Sequence, residues 1–177
     1  METTRNNLSP YEENLFNGLR NYLDTTVYFY GSIQRYDYFP GYSDIDVDIF
    51  SDNIDSTIYK LQSFFDIGKE KTKRFVIKIK NSIIVGKKLV VKIPEHQFRA
   101  EFSVFEEKYK DLVLYEHNRK TQLPIIIACF ITFLKVIYYH LNIIDRNSYK
   151  NAKQMLLNVF LDDNYLKNRF KSDFVVL

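Results

Sequence analysis

Residues 43–50 read SDIDVDIF, with acids at 44, 46 and 48 and Ile45, Val47 and Ile49 between them. Strict alternation is the period of a β-strand, in which residues i and i+2 share a face. Three carboxylates therefore lie on one face and three branched apolar side chains on the other. Same-face Cα atoms are roughly 6.5–7 Å apart, so the carboxylates can converge, and without a cation one of them would hold its proton. A strand of this kind needs an apolar cover on one face and a stabiliser of negative charge on the other. An exposed acidic strand face is the plain alternative. A calcium loop is excluded, because the sixth position from Asp44 is Ile49, where such a loop needs Gly. A bound Mg²⁺ resolves the repulsion, since it takes oxygen ligands and tolerates few protein carboxylates together with phosphates.

The preceding residues read as a strand and a turn. Residues 26–30, TVYFY, are β-branched and aromatic, and Gly31-Ser32 breaks them. Gly lets the backbone approach a ligand closely, and the Ser hydroxyl with nearby N–H groups can hold phosphate oxygens. A loop containing Asp37, Pro40 and Gly41 separates Ser32 from Asp44. A phosphate-holding turn beside a metal-holding pair of acids is what nucleotide transfer chemistry requires.

Elsewhere, Ser9-Pro10 followed by Glu12 and Glu13 marks a helix start, and Leu15, Leu19 and Leu23 carry that helix to about Asp24. Residues 55–65 suit a second helix. Strands are expected at 74–79, 83–85, 89–93 and 98–105, with a possible turn at Asn81-Ser82 and Gly86-Lys87-Lys88 as a hairpin turn. From about residue 108 the pattern is helical, with Pro124 near a helix start, a loop at 145–148 and a helix over 149–161. This order predicts an α+β fold, a mixed β-sheet flanked by helices, with a core over 1–107 and a C-terminal helical part over 108–177.

The 177 residues suffice for a real core. A net charge of +3 is too mild to imply a nucleic-acid partner. Cys129 is the only cysteine, so no internal disulfide is possible, and it is expected to pack in the core. His96, His117 and His140 show no metal-ligand spacing. METTRNNLSPYEENLF lacks an apolar segment, so no secretory signal is expected and a cytoplasmic location is. Residues 124–144 are long enough to span a bilayer, but Lys135 in their middle costs roughly 2.5–3.5 kcal/mol on insertion. A buried core helix is expected there, and no membrane partner.

GSIQRYDYFPGYSDIDV is similar to the small nucleotidyltransferases of the aminoglycoside adenylyltransferase and antitoxin kind, within the DNA polymerase β-type superfamily. The resemblance covers residues 27–50, and Tyr36 departs from it where those enzymes often carry Gly. It implies a nucleotidyltransferase-type sheet and transfer of a nucleoside monophosphate from a triphosphate, by default ATP, to an acceptor hydroxyl with release of pyrophosphate. It implies two Mg²⁺ ions, with Mn²⁺ as a substitute, held by Asp44, Asp46 and a third carboxylate. Glu101 in FRAEFSVF fits that place best, with Ala100 and Phe102 turned inward; Glu95 and Glu106 fit less well, and a surface acid paired with a lysine is the alternative for Glu101. Gly31, Ser32 and Ser43 would contact the phosphates. Lys135 would reach the triphosphate or snorkel to solvent. Lys153 is a weaker candidate of the same kind, read as a solvated helix face, and Asp48, outside the family pair, is either a helper or, as favoured, solvated at the strand end.

The acceptor stays open among small molecules, proteins and RNA, and a homodimer could complete a site on so short a chain. Two other classes remain: an inactive descendant kept as a binding or scaffold module, and a nucleic-acid-binding protein using the lysines of the hairpin. Lys78, Lys80, Lys87, Lys88 and Lys92 decorate the hairpin, and Lys69, Lys71, Lys73 and Arg74 precede the β region. Such lysines more often keep a sheet edge soluble.

Overall fold

Ser9 opens the first helix through a capping box: its Oγ accepts the Glu12 N–H, and Glu12 accepts the Ser9 N–H at 2.6 Å. This helix, α1 (Pro10–Leu23), ends at Asp24 in the left-handed conformation. The computed structural model describes residues 2–122, 124–161 and 175–176. After α1 come β1 (Val27–Tyr30), a short 3₁₀ turn (Gly31–Gln34), β2 (Ile45–Ser51) and α2 (Ile54–Phe65), the last capped by Asn53. Then follow β3 (Thr72–Ile79), β4 (Ser82–Ile93), β5 (Phe98–Glu106), α3 (Lys110–Thr121), α4 (Ile125–Tyr139), α5 (Arg146–Leu161) and a two-residue β6 (Val175–Val176). The fold is α+β: a five-stranded mixed sheet flanked by helices, extended at one edge by β6.

The strand order is β1-β2-β5-β4-β3-β6. Only β2 and β5 run parallel, and their register sets Asp46 beside Glu101 and Asp48 beside Ser103. In the antiparallel pair β1–β2, Tyr30 lies opposite Asp46 and Tyr28 opposite Asp48. The alternation in β2 is thus read out across three strands. One face, carrying Val27, Phe29, Ile45, Val47, Ala100 and Phe102, is covered by Phe16, Leu19 and Leu23 of α1 and Ile58 and Leu61 of α2. Burial of each such large side chain contributes about 1.5–3 kcal/mol. The opposite face carries the acids and a second apolar cluster, Tyr28, Phe50, Phe75, Ile77, Ile84 and Phe105, closed by Val113 of α3.

Four expectations are corrected. Gly86-Lys87-Lys88 is no hairpin turn: β4 runs straight through it, and the turn lies at Lys80-Asn81, where Lys80 adopts φ 53°. Gly86 is instead the residue on which the Phe75 and Phe105 rings close, 2.9 and 3.0 Å from where a Cβ would stand. The hairpin lysines consequently divide between both sheet faces: Lys87 pairs with Asp55 of α2, while Lys88 points to the acidic face. The helix after Pro124 is not wholly buried. Ala128, Ile131 and Lys135 are covered, whereas Ile126, Phe130 and Phe133 remain more than half exposed among the described residues. Cys129 lies on that exposed side rather than in the core. The helix expected over 149–161 begins earlier, at Arg146, because Asp145 accepts the N–H groups of Asn147 and Ser148. No single helix among the described residues is long and apolar enough to cross a membrane.

Candidate functional site

Gly31 directly follows β1 with φ 71°, and a Cβ there would stand 2.0 Å from Oδ2 of Asp46. The glycine lets the turn close against the carboxylate of the neighbouring strand. Asp46 and Glu101 project from register partners on adjacent parallel strands, about 4.8 Å apart in backbone. Burial, and then the negative charge of Glu101, push the Asp46 carboxyl up to about 7. Asp44, one residue before β2, is half exposed, with Arg99 Nε 2.9 Å from its Oδ1. Glu101 is partly buried and pairs with Lys88 at 2.6 Å. Each acid flanking Asp46 therefore holds a cation of the chain itself. Among the described residues no three His, Cys, Asp or Glu side chains are gathered as a ready metal cluster.

Two cavities meet at Gly31, Arg35 and Asp46. The larger, about 650 Å³, lies between the Gly31–Gln34 turn, the loop before β2, and α4 and α5. Of the residues predicted from the sequence, Gly31, Ser32, Ser43, Asp44, Asp46 and Lys135 line it. Glu101 does not; it lies on the smaller cavity, about 230 Å³, whose lining it shares with Asp46. Asp46 alone of the acids borders both.

The larger cavity is rich in cations that sequence reading had not assembled. Arg146, Lys150 and Lys153 stand at i, i+4 and i+7 on α5, a single stripe facing the cavity. Arg35, Lys92 and Arg99 add to it from the sheet side. Lys153, read from the sequence as solvated, is here a cavity wall: burial, and then Arg35, hold its ammonium below the usual lysine range. The stripe spacing was visible in the sequence, but nothing there said which side of α5 faced the sheet.

Lys135 neither snorkels nor stands free. It is 2% exposed, donates to the Asp37 carbonyl and to Ser43 Oγ at 3.1 Å, and lies 3.2 Å from the Asp37 carboxylate. Burial brings its ammonium down to about 8, against the pull of Asp37. Arg35 also binds Asp37, through Nε at 2.7 Å and Nη2 at 3.1 Å. Burial alone would raise the Asp37 carboxyl, but these two cations hold it below the ordinary carboxylate range. Ser43 in turn accepts the Phe39 N–H. Lys135, Asp37, Arg35 and Ser43 thus fix the loop that delivers Asp44 to the cavity.

Asp48 departs furthest from expectation. It is fully buried rather than solvated, because α3 covers it. Its Oδ2 lies 2.6 Å from Nδ1 of His117, and burial raises its carboxyl against the effect of that histidine. The His117 ring lies flat on Tyr30, centroids 3.9 Å apart. Tyr36, where the resemblance departs, is more than half exposed, with the Arg5 guanidinium over one face of its ring. Set against known proteins, the chain matches no family model, no curated protein and no solved structure.

Proposed function

We propose that the chain is a divalent-metal-dependent nucleotidyltransferase, moving a nucleoside monophosphate from a nucleoside triphosphate, with ATP as the default donor, to an acceptor hydroxyl. The observation that carries this reading is the position of Asp46, on the boundary between a cation-lined cavity and a second cavity holding Glu101. A cavity of about 650 Å³ falls in the range of small-molecule sites. Its Arg and Lys side chains suit a polyanion.

The donor set fits a hard cation. Asp44, Asp46 and Glu101 offer only oxygen, and burial, then the negative charge of Glu101, incline Asp46 to hold a proton that a cation would displace. These three carboxylates would hold Mg²⁺ or Mn²⁺, with Arg99 and Lys88 giving up their present partners. Bound there, the metal would lower the pKa of an acceptor hydroxyl and neutralise charge on the departing pyrophosphate. The chain's own part is positioning and charge neutralisation. Gly31 and Ser32 bring backbone and hydroxyl to the phosphates, and Lys153, Arg146 and Lys150 bind them from α5. Lys135 serves indirectly, by holding Ser43 and the Asp44 loop. Tyr138, Tyr139 and Tyr149, also lining the larger cavity, offer faces for the nucleobase.

A second reading draws on the ion pairs Asp44–Arg99 and Glu101–Lys88. Acids satisfied from within also suit a module that binds a nucleotide without transferring it. Incubation with each triphosphate and Mg²⁺ separates the two: metal-dependent release of pyrophosphate, abolished by Asp46→Asn, is expected for the enzyme. Binding without release, unaltered by chelation, favours the module.

A further inference from the structure

We propose that His117, oriented by Asp48, takes the proton from the acceptor hydroxyl, and that the smaller cavity which His117 lines is the acceptor's place. This rests on the transfer reading above and adds to it a base separate from the acidic triplet.

The argument begins with the energetics of Asp48. Its side chain has no exposure, Oδ2 meets His117 Nδ1 at 2.6 Å, and Oδ1 has no hydrogen-bond partner among the described residues. A buried carboxylate with one of its oxygens unbonded is costly, and an apolar side chain of similar size would serve a purely structural strand better. What Asp48 accomplishes is to fix a ring. His117 is constrained twice, by the bond at Nδ1 and by its stack on Tyr30 at 3.9 Å and 14° between planes. Tyr30 is itself fixed in β1, opposite Asp46. With Nδ1 engaged, Nε2 is the nitrogen left for a substrate, and the ring keeps 13% of its surface open. A base whose second nitrogen is held by a buried carboxylate is the arrangement by which histidines activate hydroxyls on unrelated folds.

The cavity supplies the rest. Asp46 and Glu101 share its lining with His117, so a hydroxyl there lies beside the acids and beside the base together. Glu101, the other conceivable proton acceptor, pairs with Lys88 in the free chain and is taken up as a metal ligand in the transfer reading. Phe75, Ile77 and Phe105 make the remaining wall apolar, and Lys88 and Lys120 add positive charge. At about 230 Å³ the cavity lies below the usual range of small-molecule sites, so it takes only a small part of an acceptor. The acceptor is therefore a hydroxyl on a small, uncharged or anionic group; a polycation would meet Lys88 and Lys120. In the step, the acceptor O–H proton passes to Nε2 of His117 and the oxygen forms a bond to the α-phosphorus. The bond from that phosphorus to the bridging oxygen breaks, pyrophosphate leaves with the electron pair, and His117 later returns its proton to water.

The test measures pyrophosphate release from the four common triphosphates with Mg²⁺ or Mn²⁺, with water, glycerol, phenol and adenosine as acceptors. Wild type is compared with His117→Ala, His117→Gln and Asp46→Asn, with triphosphate affinity and thermal stability read in parallel. His117→Ala is expected to keep its triphosphate affinity within about twofold while losing about 10²-fold or more in rate. Added imidazole should restore part of that loss in His117→Ala, by filling the space on Tyr30, and none in His117→Gln. Wild-type rates in both variants, or a loss that imidazole leaves unchanged, overturn the role of His117. Release that survives Asp46→Asn, or no release from wild type with any triphosphate, overturns the transfer reading itself and this inference with it.

Discussion

A Cβ on Gly31 would stand 2.0 Å from Oδ2 of Asp46, far inside any allowed contact, and the φ of 71° would strain it further. The turn and the carboxylate are therefore one unit. Gly31→Ala is expected to cost about 1–2 kcal/mol in stability from the backbone alone, and to displace the Asp46 carboxylate. Its loss of metal-dependent triphosphate binding should match that of Asp46→Ala. Adding Gly31→Ala to Asp46→Ala should then cost little more binding, because the atom it strikes is gone. Two independent, additive losses in a binding cycle would break the link.

The same carboxylate makes a pH prediction. Burial and Glu101 lift Asp46 from 3.8 to about 7 in the folded chain. The folded state thus binds the proton more tightly than the unfolded one, and the associated stability is complete below about pH 4 and lost as the pH rises to about 7. In chelator, the thermal midpoint of wild type relative to Asp46→Asn should fall across that window, and Asp46→Asn should be the more stable at pH 8. Mg²⁺ should shrink the difference. Parallel midpoints from pH 4 to 8 would contradict it.

How much of this was legible depended on the range of the interaction. The alternation at 44–50 fixed strand and face because it is a local property of β2 and its pleat. The pairing of Asp46 with Glu101 was reachable, since Ala100 and Phe102 alternate in the same way and lie in the core. Asp48 was read as solvated because its cover comes from α3, and His117 stands 69 residues away with no motif to announce it. Lys135 looked undecided because its partner, Asp37, is separated from it by 98 residues. Long-range covers of this kind leave no period in either segment.

Lys135 illustrates what such a cover is worth. It is buried with Asp37, and removing one partner of a buried pair leaves the other charge poorly compensated. Arg35 remains on Asp37, so Lys135→Met should cost about 3 kcal/mol, at the low end for a broken buried pair. Pairing it with Asp37→Asn should recover part of the loss. Denaturant midpoints measure both. A Lys135→Met variant as stable as wild type would show the network to be ornamental, and an unchanged triphosphate affinity at full stability would separate it from the phosphate-binding residues.

The cations of α5 should behave differently, because among the described residues no carboxylate stands in ion-pair contact with them, although Asp37 and Asp46 act on Lys153 from farther off. Lys153→Ala and Arg146→Ala should each weaken ATP binding about tenfold, the value of one charge-assisted bond of about 1.4 kcal/mol. Their stability should change little. Affinity of the wild type should decline as salt is raised, and less steeply in the double variant. Isothermal titration at three ionic strengths decides it; variants that bind as wild type would place the polyanion elsewhere.

Gly86 decides between two readings of the same residues. Gly-Lys-Lys has the composition of a hairpin turn, yet the chain turns at Lys80-Asn81, and β4 carries Gly86 where Phe75 and Phe105 converge. In a turn, Gly→Ala at an accessible φ would be neutral or slightly stabilising. In the strand, an added methyl meets two aromatic rings at 2.9 and 3.0 Å. Overpacking of that kind costs typically about 1–3 kcal/mol. Because Phe75 and Phe105 also wall the smaller cavity, Gly86→Ala should disturb that cavity while leaving the cation-lined one intact. Its stability should drop while its triphosphate affinity holds, and a stabilised Gly86→Ala would restore the turn.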